Sequence, residues 1–262
     1  MDIQGKRVVV TGAASGIGKA LVLAFHKHGA SRVVSVDINK ADADTTAKEV
    51  NGLAIEANVG DEQDIQRVVT ESTEWMGGID IFCSNAGIMG EVGLLDTSTE
   101  KWQKIWEVNV MAHIFAAKAV LPQMLERGEG YLMNTASAAG LLTTLGAAPY
   151  TVTKSAAVSF AEWVKITYGE KGIGVSCLCP QAVRTAMTQN GPGVAGVDGM
   201  LEPDAVAEEV LHAIQAEPFL VPPHAEVLEY VKRKANDRDR WITGMQRLQK
   251  QFEDFLTPKS EK

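Results

Sequence analysis

The run Arg7-Val8-Val9-Val10-Thr11-Gly12-Ala13-Ala14-Ser15-Gly16-Ile17-Gly18 decides how this chain folds. Its first five residues are mostly β-branched and read as a buried strand. Three glycines follow at Gly-x-x-x-Gly-x-Gly spacing. A helix-period pattern comes next, with Ile17, Leu21, Ala24, Phe25 and His28 on one side. Such a strand-to-helix turn suits a phosphate. Gly12 permits a tight turn, Gly16 lets the backbone approach a pyrophosphate with Ile17 close behind, and Gly18 has no side chain to hold helix and strand apart. Ser15 lies in the same loop, and the helix N-terminus offers free N–H groups to an anion. Glycines alone would also fit a purely structural turn. The strand before and the helix after favour dinucleotide binding.

Outward from this loop, strand-like runs recur at residues 32–37, 53–57, 79–84, 131–135 and 174–179, with a short one at 219–221. Helical stretches separate them. The alternation predicts an α/β fold: a doubly wound, Rossmann-type parallel sheet of about seven strands with helices on both faces. Its ligand crevice falls at the carboxyl ends of the strands. No linker or repeat divides residues 1–262, so one domain is expected, with a substrate loop at 184–203 and a C-terminal helical extension at 225–262. In that extension Trp241, Met245, Leu248, Phe252 and Phe255 form one apolar stripe. The helix carrying it either docks on the body or another subunit, or closes over the active site as a lid.

The net charge of −8 disfavours nucleic acid and anionic membranes as partners. The start has no signal-like apolar region, and no apolar run approaches the length of a membrane span, so a cytoplasmic protein is expected. Cys83, Cys177 and Cys179 have no metal-ligand spacing and read as small buried residues; no metal site is expected.

Asp37 ends the second strand, where a carboxylate accepts hydrogen bonds from both ribose hydroxyls of an adenosine and repels a 2′-phosphate. Neither Ser15 nor Ile38-Asn39 supplies a cation for that phosphate, so the expected cofactor is NAD rather than NADP. Asn58-Val59 closes the third strand, with Asn58 suited to the adenine amino edge and Val59 to its ring. Asn85-Ala86-Gly87 closes the fourth, small enough for the backbone to run beside the ribose and nicotinamide.

Hydride transfer from an alcohol needs a base for the hydroxyl proton. Tyr150 and Lys154 share one helix face at four-residue spacing, and a fixed cation favours the phenolate of a tyrosine. Tyr-x-x-x-Lys alone is usually a surface pair. Here Ser137 follows the fifth strand and offers a hydroxyl to the substrate oxygen. Asn109 interrupts a long helical stretch, where a kink or a water site is expected.

Together these motifs resemble the short-chain dehydrogenase/reductase family, from about residue 6 to 188. The resemblance implies that Tyr150 is the general acid/base and that Ser137 orients the substrate. It implies that Lys154 lowers the tyrosine pKa and binds the nicotinamide ribose, and that Asn109 holds a water in a proton relay to Lys154. Pro180 and Val183-x-Thr185 match the family's contacts around the carboxamide, and a homotetramer or homodimer is implied. This chain departs from the family in three places: Ser84 before Asn85, Asn58 where an Asp is common, and Gln181 where a glycine usually follows the proline. Gln181 either shapes the substrate site or stiffens a turn.

The expected activity is an NAD-dependent dehydrogenase of a secondary alcohol or ketone. Leu141, Leu142, Leu145, Ala147 and Met187 suggest a partly apolar pocket unless the leucines are core, and no basic cluster is evident for an acidic substrate. That leans toward a neutral, hydrophobic substrate. The alternatives are an NADP-dependent ketoacyl-type reductase and a non-catalytic NAD-binding scaffold or sensor.

Overall fold

In a computed structural model, which describes residues 1–253, the opening run becomes strand β1 (Arg7–Thr11) and helix α1 (Gly16–Lys27). Val8, Val9 and Val10 are completely buried. Burial of each such side chain contributes about 1.5–3 kcal/mol relative to exposure. The chain continues through β2 (Arg32–Asp37), α2 (Lys40–Glu49), β3 (Leu53–Glu56), α3 (Glu62–Met76), β4 (Ile81–Ser84) and α4 (Thr99–Trp106). A π-helical turn (Glu107–Met111) leads into α5 (Ala112–Arg127). Then follow β5 (Gly130–Thr135), α6 (Ala138–Leu142), α7 (Ala148–Tyr168), β6 (Ile173–Leu178), α8 (Pro203–Ala216), β7 (Leu220–Val221), α9 (Glu226–Asn236) and α10 (Arg238–Gln251).

All seven strands pair in parallel in the order β3-β2-β1-β4-β5-β6-β7. The expected Rossmann-type sheet is therefore present. One apolar core lies against each face: Val9, Phe82 and Leu132 point to the side of α3, α5 and α7, while Val8, Val10 and Met133 point to the side of α1 and α8. This is why the strands are apolar on both faces rather than alternating. The sheet reverses its winding between β1 and β4, where a doubly wound fold opens its crevice.

Four expectations are refined or corrected. Trp241, Met245 and Leu248 of the carboxyl-terminal stripe do share one helix, α10, but the extension that carries it is two helices rather than one. Asp237 stands between α9 and α10 in extended backbone and caps α10, accepting from Arg240 N at 2.9 Å. Phe255 lies outside the described residues. The helical stretch around Asn109 accommodates it with a π turn. Segment 184–199 is folded: it holds 3₁₀ turns at Ala186–Thr188 and Gly193–Gly196, and Arg184 N and Leu201 N tie its ends together through Leu201 O and Ala182 O. Finally, Thr99–Arg127 is a continuous helical rod long and apolar enough by composition to cross a membrane, although more than half of its apolar 18-residue window is buried. It covers the sheet as a core helix.

Candidate active site

A cleft of about 430 Å³ opens at the carboxyl ends of β1, β2, β3 and β4. Gly12, Ser15, Gly16, Ile17, Gly18, Asp37, Asn58, Val59, Asn85, Ala86, Gly87, Tyr150, Lys154, Pro180, Val183 and Thr185 all line it. The glycines are required by closeness. A Cβ at Gly18 would lie 1.9 Å from Gly12 O, and one at Gly12, whose φ is +68°, would lie 2.9 Å from Ala86 Cα. A side chain at either place would fill the cradle or push α1 off β1. The residues present thus fit a dinucleotide: a glycine turn, a helix N-terminus and an acid at the end of β2.

The Asp37 carboxylate is anchored by the chain itself, accepting from Ala14 N and Asn39 N, both at 3.0 Å. It therefore serves as a strand-end cap while keeping acceptor capacity toward the cleft. Among the described residues no arginine lines the cleft, Lys104 and Lys154 do, and the lysines nearest in sequence to Asp37 and the glycine loop, Lys40 and Lys19, pair with Asp44 and Glu49. Two further asparagines differ from expectation. Asn58 Oδ1 already accepts from Gly60 N at 3.2 Å, so its amide stabilises the turn after β3 as well as facing the cleft. Asn85 clamps three strand ends: its Nδ2 donates to Thr11 O at 3.0 Å and its Oδ1 accepts from Thr135 Oγ1 at 3.1 Å.

Ser137, Tyr150, Lys154 and Asn109 converge beside this cleft. Ser137 is the N-cap of α6, accepting from Ala139 N at 3.1 Å and donating to Pro180 O at 3.4 Å, which fixes its hydroxyl. Tyr150 stands on the first turn of α7 beside it. Lys154, one turn on, is 2% exposed; its Nζ donates to Thr135 O at 2.9 Å and lies 5.7 Å from the Tyr150 ring centroid. Asn109 does not reach the cleft. Its side chain is fully used, accepting from Ile88 N and donating to Ile88 O, both at 2.9 Å, and to Thr153 Oγ1 at 3.2 Å. Thr153 in turn donates to Tyr150 O at 3.0 Å. Asn109 thereby couples the loop after β4 to the Tyr150 helix.

The electrostatics are those of a dry site. Burial raises the Tyr150 pKa, and the hydroxyl of Ser137 works against that rise. Burial lowers Lys154 to about 8. The positive charge next to the phenol is therefore itself destabilised by burial, which is affordable only because Thr135 O accepts from it.

A second, larger cavity of about 910 Å³ adjoins the cleft, and Ser137, Tyr150, Gln181, Met187 and Thr188 line both. Its walls come from the segment after β6, from α6 and from α9 and α10. Of the predicted pocket residues, Leu142, Leu145 and Met187 line it. Leu141 packs into the core and Ala147 packs against Tyr150. Gln181 is tied into a polar latch: its Nε2 donates to Asp198 Oδ2 at 3.0 Å, and Tyr230 OH donates to Asp198 Oδ1 at 2.9 Å. Its backbone N–H donates to His224 Nδ1 at 3.3 Å. The sequence did not reveal Asp198, Tyr230 or His224, nor the two arginines of the cavity, Arg233 and Arg240. The apolar stripe of Trp241, Met245 and Leu248 is a signal for α10, the helix of Arg240, and for none of the others. The expectation that no basic group waits beside the substrate pocket is thus corrected.

Residues 6–192 match the profile of the short chain dehydrogenase family. The chain is 35% identical over 228 residues to 1-deoxy-11-beta-hydroxypentalenate dehydrogenase of Streptomyces exfoliatus, covering 84% of this chain and 83% of that one. It is 33% identical over 195 residues to meso-2,3-butanediol dehydrogenase of Serratia marcescens, covering 73% and 77%. A short chain dehydrogenase/reductase from Burkholderia phymatum, crystallised with NAD, superposes with a TM-score of 0.84 at 24% identity over 91% of this chain and 96% of that one. Glycine cradle, strand order and family match agree: the chain belongs to the short chain dehydrogenases and is an oxidoreductase of that type.

Proposed function

We propose that the protein interconverts an apolar secondary alcohol and its ketone with NAD(H), using Tyr150 as general acid and base. One observation carries this reading: the hydroxyls of Ser137 and Tyr150 stand together where the apolar cavity meets the dinucleotide cleft. A substrate oxygen placed there touches both. The similarity to dehydrogenases of hydroxypentalenate and butanediol supports an alcohol as substrate. Asp37 supports NAD, because a carboxylate at the end of β2 repels a 2′-phosphate and the lysines nearest it in sequence, Lys40 and Lys19, are paired with other acids.

NAD, when bound, would accept or supply the hydride. Ser137 holds the substrate oxygen, and its own orientation is fixed by Ala139 N–H and Pro180 O. In the oxidative direction Tyr150 takes the hydroxyl proton, and in the reductive direction it returns one. A tyrosine has a pKa near 10 in water, and burial raises this one. The Ser137 hydroxyl and the Lys154 ammonium must therefore stabilise the phenolate, and a cationic nicotinamide would add to them. The reading includes a homo-oligomer, supported by the exposed Trp163 and Ile166 on α7 and Trp106 on α4.

The test is a panel of secondary alcohols with NAD and NADP, followed by absorbance of the reduced cofactor. Tyr150→Phe should lower turnover by about 10²- to 10⁴-fold, the range of a general acid/base, while NAD affinity changes little. Near-wild-type turnover in the variant would overturn the mechanism.

A further inference from the structure

The walls of the 910 Å³ cavity change character from floor to mouth. Ser137, Tyr150 and Leu142 are each 8% exposed at the floor. Val194, Val197, Met245 and Leu248 make apolar sides, with the half-buried Trp241 among them. At the solvent end stand Arg233, in the last turn of α9, and Arg240, in the first turn of α10, both exposed. Among the described residues neither has a carboxylate partner, whereas Arg7, Arg67, Arg127 and Arg184 do. The Arg233 guanidinium lies 5.6 Å from the ring centroid of Tyr230, itself a wall residue, which holds it beside the cavity.

Among the neighbouring charges, Glu229 on α9 feels Arg233 but is paired with Lys232, and Lys234 adds positive charge. Lys234 donates to Leu141 O at 2.6 Å, and its pKa is lowered by burial and then by the charge of Arg238. The acid that lines the cavity, Asp237, is engaged as the cap of α10. In a chain of net charge −8, two unpaired arginines at the open end of an apolar cavity invert the average surface.

We propose that the substrate is an amphipathic anion: an apolar secondary alcohol or ketone whose far end carries an acidic group, a carboxylate being the simplest. Arg233 and Arg240 bind that group while Ser137 and Tyr150 hold the reacting oxygen. The proposal rests on the reading above of Ser137 and Tyr150 as the reacting end. A guanidinium presents a planar fork of donors that matches a carboxylate. An apolar body filling the cavity displaces water from one side of the ion pair and strengthens it. A neutral chain of equal length gains the same apolar contact and lacks the ionic one, so the difference between the two is the selectivity.

Decanoate and methyl decanoate are matched probes that undergo no redox step. Calorimetric titration into the full-length enzyme saturated with NADH should show decanoate binding about tenfold or more tighter, as charge-assisted hydrogen bonds require. In Arg233→Gln/Arg240→Gln that preference should shrink to about threefold or less, and in wild type it should fade as salt rises. Arg247→Gln, on α10 but away from the cavity, should keep the preference. Equal binding of acid and ester, or a preference that survives the double substitution, overturns the proposal. Turnover of (ω−1)-hydroxydecanoate and its methyl ester with NAD separates the two readings. The double variant should raise KM for the acid and leave kcat, and both constants for the ester, within about twofold, because only uniform binding is lost. If the variants move neither substrate, the anion site falls and the dehydrogenase stands. If neither is oxidised while decanoate keeps its arginine-dependent preference, the anion site stands and the reaction assigned to it falls.

Discussion

Asp37 shows how one side chain serves structure and selectivity together. Its oxygens accept from Ala14 N and Asn39 N, which closes the end of β2 against the glycine loop and leaves negative charge facing the cleft. Asp37→Ala removes both the anchor and the charge. NAD affinity should fall by roughly tenfold or more, the scale of losing charge-assisted hydrogen bonds. The advantage of NAD over NADP should narrow because the repulsion of a 2′-phosphate goes with it. Fluorescence titrations with both reduced cofactors, beside a thermal midpoint to separate local from global loss, would show it; an unchanged cofactor ratio would sink the assignment. This residue was legible in the sequence because its role depends on local order alone: glycine turn, helix, strand, acid. Asn85 was legible only as a small-residue turn. Its clamp on Thr11 and Thr135 joins β1, β4 and β5, strands separated by tens of residues in sequence, and depends on sheet order. Asn58 is legible as a cleft residue, but the bond it accepts from the backbone N–H of Gly60, two residues on, does not show in a pattern of side chains.

Among the elements, the segment after β6 and the last two helices matter most, since they wall the substrate cavity. The apolar period of Trp241, Met245 and Leu248 is visible and falls on α10, but the break before it, which a single capping aspartate, Asp237, sets, is not. The pairing of the segment with α9 was not visible, because Asp198, Gln181 and Tyr230 meet only in three dimensions. Asp198 accepts from both Gln181 Nε2 and Tyr230 OH, which secures segment 184–199 over the cavity. Hydrogen bonds to a charged group contribute about 1.5–3 kcal/mol each where water is excluded and less where, as here, the site is only partly buried. Asp198→Ala should therefore loosen the segment without unfolding the sheet. Limited proteolysis should cut within 184–199 several-fold faster, with the thermal midpoint lowered by no more than about 2–4 °C, the scale of 1 kcal/mol in a chain of this size. Unaltered cleavage would show that the backbone pairing of Ala182, Arg184 and Leu201 suffices to hold the segment.

At the scale of the molecule, the sheet follows from the alternation of short buried strands with helices, and the right-handed crossover rule leaves few other arrangements. What no pattern could reveal is which polar groups the closed fold strands inside. His113, at the start of α5, is buried with neither ring nitrogen hydrogen-bonded. Its pKa falls to about 3, from burial first and the charge of Lys154 second. A free histidine titrates near 6.5, so between pH 6.5 and about 3 the unfolded chain binds a proton that the native protein refuses. The stability conferred by keeping His113 neutral is complete above 6.5. It is lost as pH falls, at about 1.4 kcal/mol per pH unit. Lys154 acts at the other end. Its native pKa of about 8 lies below the unfolded value of 10.5, so stability should rise as pH climbs through that interval. His113→Leu replaces two unpartnered nitrogens with an apolar side chain of similar volume. Urea unfolding at pH 7 should find it as stable as wild type or more so. The gap should widen by about 2.5 kcal/mol by pH 4.5, because only wild type carries the proton linkage. Acid limbs that run parallel in the two proteins would mean that the imidazole finds a partner as the pH drops, and that the buried histidine is not what sets the acid limit of this fold.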